Sequence, residues 1–297
     1  MGMVRGWTSV VTSGGVQSDE QADVDSCRSC PTFGLGLGLG STQVHVLPGA
    51  TLAGETGVRV LSPERMKCIG LLGGMSWESS IEYERLINED VRRRLGGVHS
   101  ADLVIRSFDF AEIEALQAVG DWAGAATLLA DAARSLVQCG AAVVVLCTNT
   151  MHKVAGPVAD AIAPVPLLHI ADATGAAVRA AGVPRVGLLG TRYTMEQAFY
   201  RDHLVAHHGL DVLVPEEPDR TTVHDVIYEE LVRGVVTAES KAAYLAVIDR
   251  LLARGGEGII AGCTEIELLV GADDVTVPYF PTTRLHALAA VEFALRG

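Results

Sequence analysis

The sequence predicts an α/β protein made of two similar halves, each built around a parallel β-sheet. From Met66 onward, short apolar segments that are typical of buried strands alternate with longer segments of helical periodicity. This alternation indicates parallel strands joined by crossover helices. Two short motifs also recur in the same order along the chain, which indicates an internal duplication.

Several segments have the length and apolar composition of buried strands. They are Cys68–Leu72, Leu103–Ile105, Ala142–Leu146, Val186–Leu189, Val212–Val214 and Gly258–Ala261. Amphipathic segments with helical spacing lie between them. These are Glu78–Leu95, Ala111–Cys139, Val154–Ile162, Met195–His208, Val223–Val232 and Ser240–Ala253.

The duplication is visible in two pairs of motifs. Gly-Leu-Leu-Gly occurs at Gly70–Gly73 and again at Gly187–Gly190, and a Cys-Thr pair ends a strand at Cys147–Thr148 and again at Cys263–Thr264. Nearly equal lengths of chain separate the two copies of each motif, which predicts two pseudo-symmetric, Rossmann-like domains with parallel sheets. Because open parallel sheets bind ligands beyond the carboxyl ends of their strands, we expect the active site in the interdomain cleft.

The predicted folded region begins at Met66. We expect residues 66–171 together with 283–297 to form the first α/β domain and residues 172–282 to form the second. Residues 1–65 show no sustained periodicity and include the low-complexity run Phe33–Ser41. This composition predicts a disordered extension, a targeting segment or the product of a misplaced start codon.

Cys27 and Cys30 form a C-x-x-C motif within this first segment. Such a motif can be half of a zinc site or a redox pair, but no second pair of ligands follows at zinc spacing. We therefore favour two unrelated cysteines in a disordered segment.

The composition argues against some classes of partner. The net charge is −13, and nucleic acid is not an expected partner because phosphate binding needs a basic surface. No segment has the roughly 20 consecutive apolar residues that span a bilayer, and the basic and apolar blocks of a secretory signal are missing. We expect a cytoplasmic protein with a small-molecule ligand and no membrane partner.

Cys263 is the first candidate for chemistry. It follows Gly262 at the end of an expected strand, where a helix or loop begins. Backbone N–H groups at a helix N-terminus lower the pKa of a thiol, which can then exchange protons near neutral pH. A lone cysteine there would more often be a small buried hydrophobe. The matching Cys-Thr pair in the other half favours the catalytic interpretation.

The matching segment Cys147–His152 reads Cys-Thr-Asn-Thr-Met-His. Asn149 and Thr150, with the free amides of a helix start, are suited to bind an α-carboxylate. A metal site made of Cys147, His152 and Cys263 is not expected, because no carboxylate or second histidine lies at metal spacing.

Five motifs extend over the whole region after Met66. They are GLLGGMSWES (Gly70–Ser79), CTNTMHKVA (Cys147–Ala155), PLLHIADAT (Pro166–Thr174), GLLGTRYTMEQ (Gly187–Gln197) and GCTEIELL (Gly262–Leu269). With them the chain resembles the aspartate/glutamate racemase family, and most closely its bacterial L-aspartate/glutamate-specific branch. The resemblance implies two α/β domains, racemisation without pyridoxal phosphate or another cofactor, one acid/base residue from each domain, and a homodimer.

The resemblance also implies the catalytic pair Thr148 and Cys263. In the family the first catalytic residue stands directly before Asn-Thr-x-His, a position that is Thr148 in this chain. Cys147 is the alternative, but adjacent residues that leave a strand point to opposite sides, so only one of the two can face the substrate. A hydroxyl is a poorer base than a thiol, so we expect unequal rates from the two enantiomers.

Further substrate contacts are implied by the same resemblance. Met75 and Gln117 correspond to substrate-contacting positions, although core packing and a solvated helix face are equally good interpretations. Thr264 and Glu265 resemble residues that hold the amino group. A side-chain carboxylate needs a cation, for which several arginines are open candidates. They are Arg106, Arg192, Arg201 and Arg233.

Other functions are possible for such a chain. A decarboxylase or a cis–trans isomerase of the same superfamily needs only one thiol or proton donor, and a regulator could bind an acidic amino acid without turning it over. A nucleotide-binding oxidoreductase is disfavoured because neither glycine motif has the G-x-G-x-x-G pattern. His169 and Asp172 also follow an expected strand, where they could orient catalytic groups or form a satisfied polar pair.

Overall fold

A computed structural model describes residues 66–296 of the chain. The expectations for the segment 1–65, including those for Cys27 and Cys30, lie outside the described residues. The first half contains strands β1 to β4 and their connecting helices. These elements are β1 (Ile69–Gly73), α1 (Trp77–Leu95), β2 (Leu103–Ser107), α2 (Phe110–Ala118), α3 (Trp122–Gln138), β3 (Val143–Leu146), a 3₁₀ turn (Thr150–Val154), α4 (Ala155–Ile162) and β4 (Leu167–Leu168).

The second half repeats this alternation. Its elements are α5 (Ile170–Ala180), β5 (Arg185–Gly190), α6 (Arg192–Glu196), α7 (Ala198–His208), β6 (Asp211–Leu213), α8 (Asp219–Asp225), a π turn (Val226–Glu230), a 3₁₀ turn (Leu231–Arg233), α9 (Ala238–Ala253), β7 (Ile259–Gly262), α10 (Ile266–Leu269), a second 3₁₀ turn (Ala272–Asp274), β8 (Tyr279–Pro281) and the C-terminal α11 (Thr282–Leu295).

Two four-stranded parallel sheets carry the duplication. The first has the strand order β2-β1-β3-β4 and the second has the order β6-β5-β7-β8. In each sheet the Gly-Leu-Leu-Gly strand pairs with the strand that ends in Cys-Thr: Leu72 is in register with Leu146, and Gly190 with Gly262. The predicted α/β class with two parallel sheets is confirmed.

Two of the expected helices are in fact broken. The segment expected to form one helix over Ala111–Cys139 forms α2 and α3, because Gly120 adopts a φ of 72° and ends the first helix. The side chain of Asp121 then caps α3 by accepting a hydrogen bond from the amide of Gly124. Similarly, Met195–His208 is divided at Gln197, which is extended between α6 and α7.

Both faces of the first sheet are covered by helices. Leu72, Val144 and Leu146 point to one side and pack in the cluster that contains α3 and α4. Val145 and Cys147 point to the other side, where residues of α1 and α11 cover them. Helix α11, although last in the chain, therefore packs on the first sheet and covers the side of β3 that carries Val145 and Cys147.

Helix α11 contacts α1 of the first half and α5 of the second half, so these contacts do not assign it to one half. The domain boundaries at residues 171/172 and 282/283 stay a prediction. Within residues 66–296 no helix has both the length and the apolar character needed to cross a membrane.

Candidate active site

A cleft lies where the carboxyl ends of β3 and β7 meet the segment after β1. It is lined by the residues proposed from the sequence for catalysis and substrate contact, apart from the alternative Cys147 and the four candidate arginines. These lining residues are Met75, Gln117, Thr148, Asn149, Thr150, Cys263, Thr264 and Glu265. The folding of the two halves thus brings together residues that are far apart in the chain.

Thr148 faces the cleft, whereas Cys147 does not line it. The side chain of Cys147 is completely buried between the first sheet and helices α1 and α11, and burial raises the pKa of its thiol. A thiol enclosed in this way cannot reach a substrate in the cleft. The geometry therefore favours Thr148 over Cys147 as the proton-transfer group of the first half.

His152 holds the backbone of Thr148 in place. Its Nδ1 lies 2.8 Å from the carbonyl oxygen of Thr148, and its Nε2 accepts a hydrogen bond from the amide of Ile170 over 3.1 Å. Burial lowers the pKa of His152 to about 3, so the ring is neutral at physiological pH. With both nitrogens engaged, His152 positions Thr148.

Asn149 has one buried acceptor atom without a partner among the described residues. Its Nδ2 donates to Thr282 Oγ1 over 3.1 Å, and that hydroxyl in turn donates to the carbonyl of Ala261 over 2.8 Å. The proton of Thr282 is therefore already used, which fixes the orientation of the Asn149 amide. Its buried Oδ1 has no partner among the described residues. The second N–H of Nδ2 can still donate to the α-carboxylate expected from the sequence, and Oδ1 can accept from an ammonium group.

The thiol of Cys263 is partly buried at the end of β7 and donates a hydrogen bond to Glu265 Oε2 over 2.8 Å. Burial and the negative charge of Glu265 raise the pKa of this thiol well above its usual value. The expectation of a lowered pKa was therefore wrong for the ligand-free protein. Helix α10, which follows, has only four residues, and its N-terminus does not outweigh burial beside a carboxylate.

Ser79 is a member of the site that sequence reasoning missed. Its hydroxyl donates to Thr264 Oγ1 over 2.7 Å and lies 3.4 Å from Glu265 Oε1. Ser79 lies in the first turn of α1, so this helix connects to the loop that carries the second Cys-Thr pair. Its place at the end of the GLLGGMSWES motif was the only sequence signal.

The turn that leads into α1 has a constrained backbone. Gly74 has a φ of 81°, and a Cβ at this position would lie 2.2 Å from the amide nitrogen of Phe108. Ser76 has a φ of 99°, an uncommon conformation for a residue other than glycine. These two residues place Met75 in the wall of the cleft.

Further lining residues come from segments that the sequence pattern treated as ordinary helix or loop. They are Ser76, Ser79, Phe110, Thr191, Ile227, Tyr228, Val232 and Gly262. Tyr228 lies in the π turn, and burial raises its pKa to about 12, so that its phenol is neutral. The residue spacing of Val223–Val232 predicted an ordinary α-helix and gave no sign of the π turn. π turns are frequent at functional sites.

The candidate arginines do not line this cleft. Arg106, Arg201 and Arg233 pair respectively with the carbonyl of Ser107, with Asp202 and with Glu229. Arg192 differs, because it lines an adjoining pocket that shares Gln117 and Tyr228 with the cleft. The structure therefore favours Arg192 among the four as a partner for a side-chain carboxylate.

The chain is similar to known proteins in sequence and in fold. The sequence model of the Asp/Glu/Hydantoin racemase family matches residues 72–290. A crystal structure of a candidate Asp/Glu racemase from Yersinia pestis shares 55% identity, covers 78% of this chain and 100% of its own, and superposes with a TM-score of 0.75.

Two more solved structures have the same fold. An aspartate racemase homologue from Pyrococcus horikoshii is 32% identical, with 78% of this chain and all of its own covered, at a TM-score of 0.70. Glutamate racemase from Francisella tularensis, 15% identical, covers 76% of this chain and 80% of its own at a TM-score of 0.54, a likeness of fold alone.

Proposed function

Because the chain belongs to the Asp/Glu/Hydantoin racemase family and is an amino-acid racemase, we propose that it racemises an acidic amino acid by proton transfer between Cys263 and Thr148. The observation that carries this proposal is the common cleft: Cys-Thr pairs follow the two equivalent strands β3 and β7, and Thr148 of the first pair lines the same space as Cys263 and Thr264 of the second. Racemisation needs one group on each side of the α-carbon. Both groups belong to this chain, so the proposed reaction uses no cofactor.

In the first step Cys263 must lose its proton before it can act as a base. Glu265 Oε2 already accepts a hydrogen bond from the thiol, so the proton has a direct route to the carboxylate. The charge of Glu265 opposes the thiolate in the ligand-free protein. A substrate ammonium beside Glu265 would offset this charge and lower the pKa of Cys263. Substrate binding would therefore favour the thiolate of Cys263, which is the base that removes the α-proton.

In the second step the thiolate takes the α-proton while the hydroxyl of Thr148 donates a proton to the opposite face. Thr148 afterwards regains a proton from water, Glu265 releases to water the proton that it took in the first step, and Cys263 can then pass its new proton to the Glu265 carboxylate. In the opposite direction Thr148 must act as the base. An unactivated hydroxyl is much less acidic than a thiol, so proton abstraction by Thr148 is the slower of the two directions.

The acidic substrate class is supported by the relatives, which include a candidate Asp/Glu racemase and an aspartate racemase homologue. In this proposal Asn149 Oδ1 and Glu265 receive the ammonium, and Arg192 draws the side-chain carboxylate from the adjoining pocket. Thr150, whose hydroxyl lies 3.3 Å from that of Thr191, remains the candidate for the α-carboxylate. A homodimer is proposed from the resemblance, and a cytoplasmic location from the composition of the sequence.

Proton NMR in heavy water tests the proposal. The full chain is incubated with L-aspartate or L-glutamate without added cofactor, and the α-proton signal is followed. We expect the signal to disappear with the wild type and to persist with Cys263→Ala and Thr148→Ala. Cys147→Ala is the matched control and keeps exchange activity, because Cys147 lies outside the cleft. Substrate binding without exchange in the wild type would instead support the non-catalytic regulator.

A further inference from the structure

A cluster of imidazole and carboxylate groups lies between helices α5 and α7, separate from the residues that line the catalytic cleft. Asp172, in the first turn of α5, has its Oδ1 2.6 Å from Nε2 of His203 and 3.0 Å from Nε2 of His208. His169, which caps α5, stacks on His203 with 4.0 Å between the ring centroids and 1° between the planes. Imidazole rings and a carboxylate thus lie close together in this cluster.

We propose that this cluster binds a divalent transition-metal ion through His169, Asp172 and His203. One potential ligand atom from each residue lies within 4.8 Å of the others. In a tetrahedral zinc site with bonds of about 2.0–2.2 Å, ligand atoms are about 3.3–3.5 Å apart. To surround an ion, the ligand atoms must come closer by up to about 1.3 Å, and the rings of His169 and His203 must rotate out of their parallel stack. Mixed imidazole and carboxylate ligands favour zinc, cobalt or nickel over magnesium or calcium.

The surroundings of the three residues support this role. His208 donates to the same carboxylate oxygen of Asp172 and would hold it in position, as outer hydrogen bonds do in metal sites. The carboxylate of Asp172 is 54% exposed and lines a surface groove with His169, so an ion and its water ligand can enter.

Binding changes the protonation of two rings. The ion takes the place of the proton that Nε2 of neutral His203 donates to Asp172, and the ring proton moves to Nδ1 of His203. His169 Nδ1 accepts the amide N–H of Ala171 over 3.2 Å. Coordination through its Nε2 moves the ring proton to Nδ1 and gives up this cap. His169 also meets His152 edge to face, with 4.6 Å between the ring centroids, so the site adjoins the residue that positions Thr148.

Cobalt(II) is the probe for this site, because its visible absorption reports the ligands. We expect the full-length wild type to bind one ion per chain with intense visible bands and without the near-ultraviolet charge-transfer band of a cobalt thiolate. Asp172→Asn and His203→Ala should weaken binding by at least about tenfold. His99→Ala removes an exposed imidazole elsewhere and should leave the titration unchanged.

Equal affinity in all four proteins, absence of saturable binding, or a thiolate band at the same stoichiometry would overturn the proposal. If the variants fail to fold, proton NMR of the cobalt-loaded wild type decides. Coordination by His169 and His203 requires exchangeable imidazole N–H signals shifted far outside the normal range by the paramagnetic ion. A spectrum without such signals contradicts the site. Neither measurement depends on racemase activity.

Discussion

The thiol of Cys263 lies 2.8 Å from Glu265 Oε2, and the two side chains form a partly buried acid/base pair at the end of β7. Burial and this contact together raise the pKa of the thiol at the position where a racemase needs a base. The carboxylate of Glu265 can also accept the proton of the thiol. The catalytic competence of Cys263 therefore depends on Glu265 and on what binds beside it.

Replacing Glu265 with Gln tests this dependence. The change removes the negative charge that raises the thiol pKa, so the pKa of Cys263 falls and the thiolate fraction at a given pH rises by about tenfold per pKa unit. Alkylation of Cys263 by iodoacetamide, measured on its own peptide by mass spectrometry across pH, should become faster. Racemisation should become slower, because the proton acceptor is lost. Unchanged alkylation would show that Glu265 does not control the thiol.

Thr148 is tested by two substitutions. Thr148→Ala should lower kcat by about 10²–10⁴-fold, the usual contribution of one acid/base group. Thr148→Cys supplies a better base on the same face, so the ratio of the rates from the two enantiomers should move toward one. Circular dichroism with each enantiomer measures both directions. A wild type with equal α-deuterium loss from both enantiomers in a single turnover would contradict the assigned roles.

The buried histidines make stability depend on pH. Burial lowers the pKa of His152 and of His286 to about 3, whereas an unfolded chain has histidines near 6.5. Between these values the unfolded state binds more protons, so stability is complete above pH 6.5 and falls as the pH is lowered toward 3. Each histidine contributes up to about 1.4 kcal/mol per pH unit.

Urea unfolding between pH 7 and pH 5 measures this slope. His152→Gln should reduce the slope by the contribution of one histidine and lower stability at pH 7 by about 1–3 kcal/mol, since the Ile170 amide loses its acceptor. His99→Ala, at an exposed position, is the control and keeps the slope. A slope that His152→Gln leaves unchanged would mean that this ring is not held neutral by the fold.

Gly74, in the turn into α1, and Gly140, between α3 and β3, form a matched pair, because both have a positive φ. Gly74→Ala adds a Cβ that meets the backbone of Phe108 and forces a positive φ, so we expect a loss of about 2–4 kcal/mol. Gly140 has a φ of 99°, but a Cβ there meets nothing within 4 Å, so Gly140→Ala should cost only about 1–2 kcal/mol of conformational strain. Urea midpoints give both values. Equal losses would mean that the contact with Phe108 relaxes.

Much of the fold could be predicted because it is encoded locally. Buried strands and amphipathic helices have periods that are read directly from residues such as those of β1, β3, β5 and β7. Short elements were missed because they contain too few residues to show a local pattern. Strand β4 has two residues, too few to show a period, and the break between α2 and α3 depended on the φ of Gly120.

Some site residues, such as Cys263 and Asn149, were found because parallel strands must end at one edge of a sheet, whereas Thr148, Thr264 and Glu265 were implied by the resemblance. Ser79 and Tyr228 were missed because their roles come from contacts between distant segments. Ser79 reaches Thr264 from α1, and Tyr228 reaches the cleft through a π turn. Neither position has a local pattern that marks it.

The sequence by itself determined the duplication, the alternation of strands and helices, and the two Cys-Thr pairs at strand ends. It could also show that Cys147 and Thr148 face opposite sides. Only the tertiary structure decided which side is open, because α1 and the distant C-terminal α11 cover Cys147. It likewise decided the protonation of Cys263 through burial beside Glu265. Periodicity is a property of neighbouring residues, whereas solvation depends on which segments of the chain pack together.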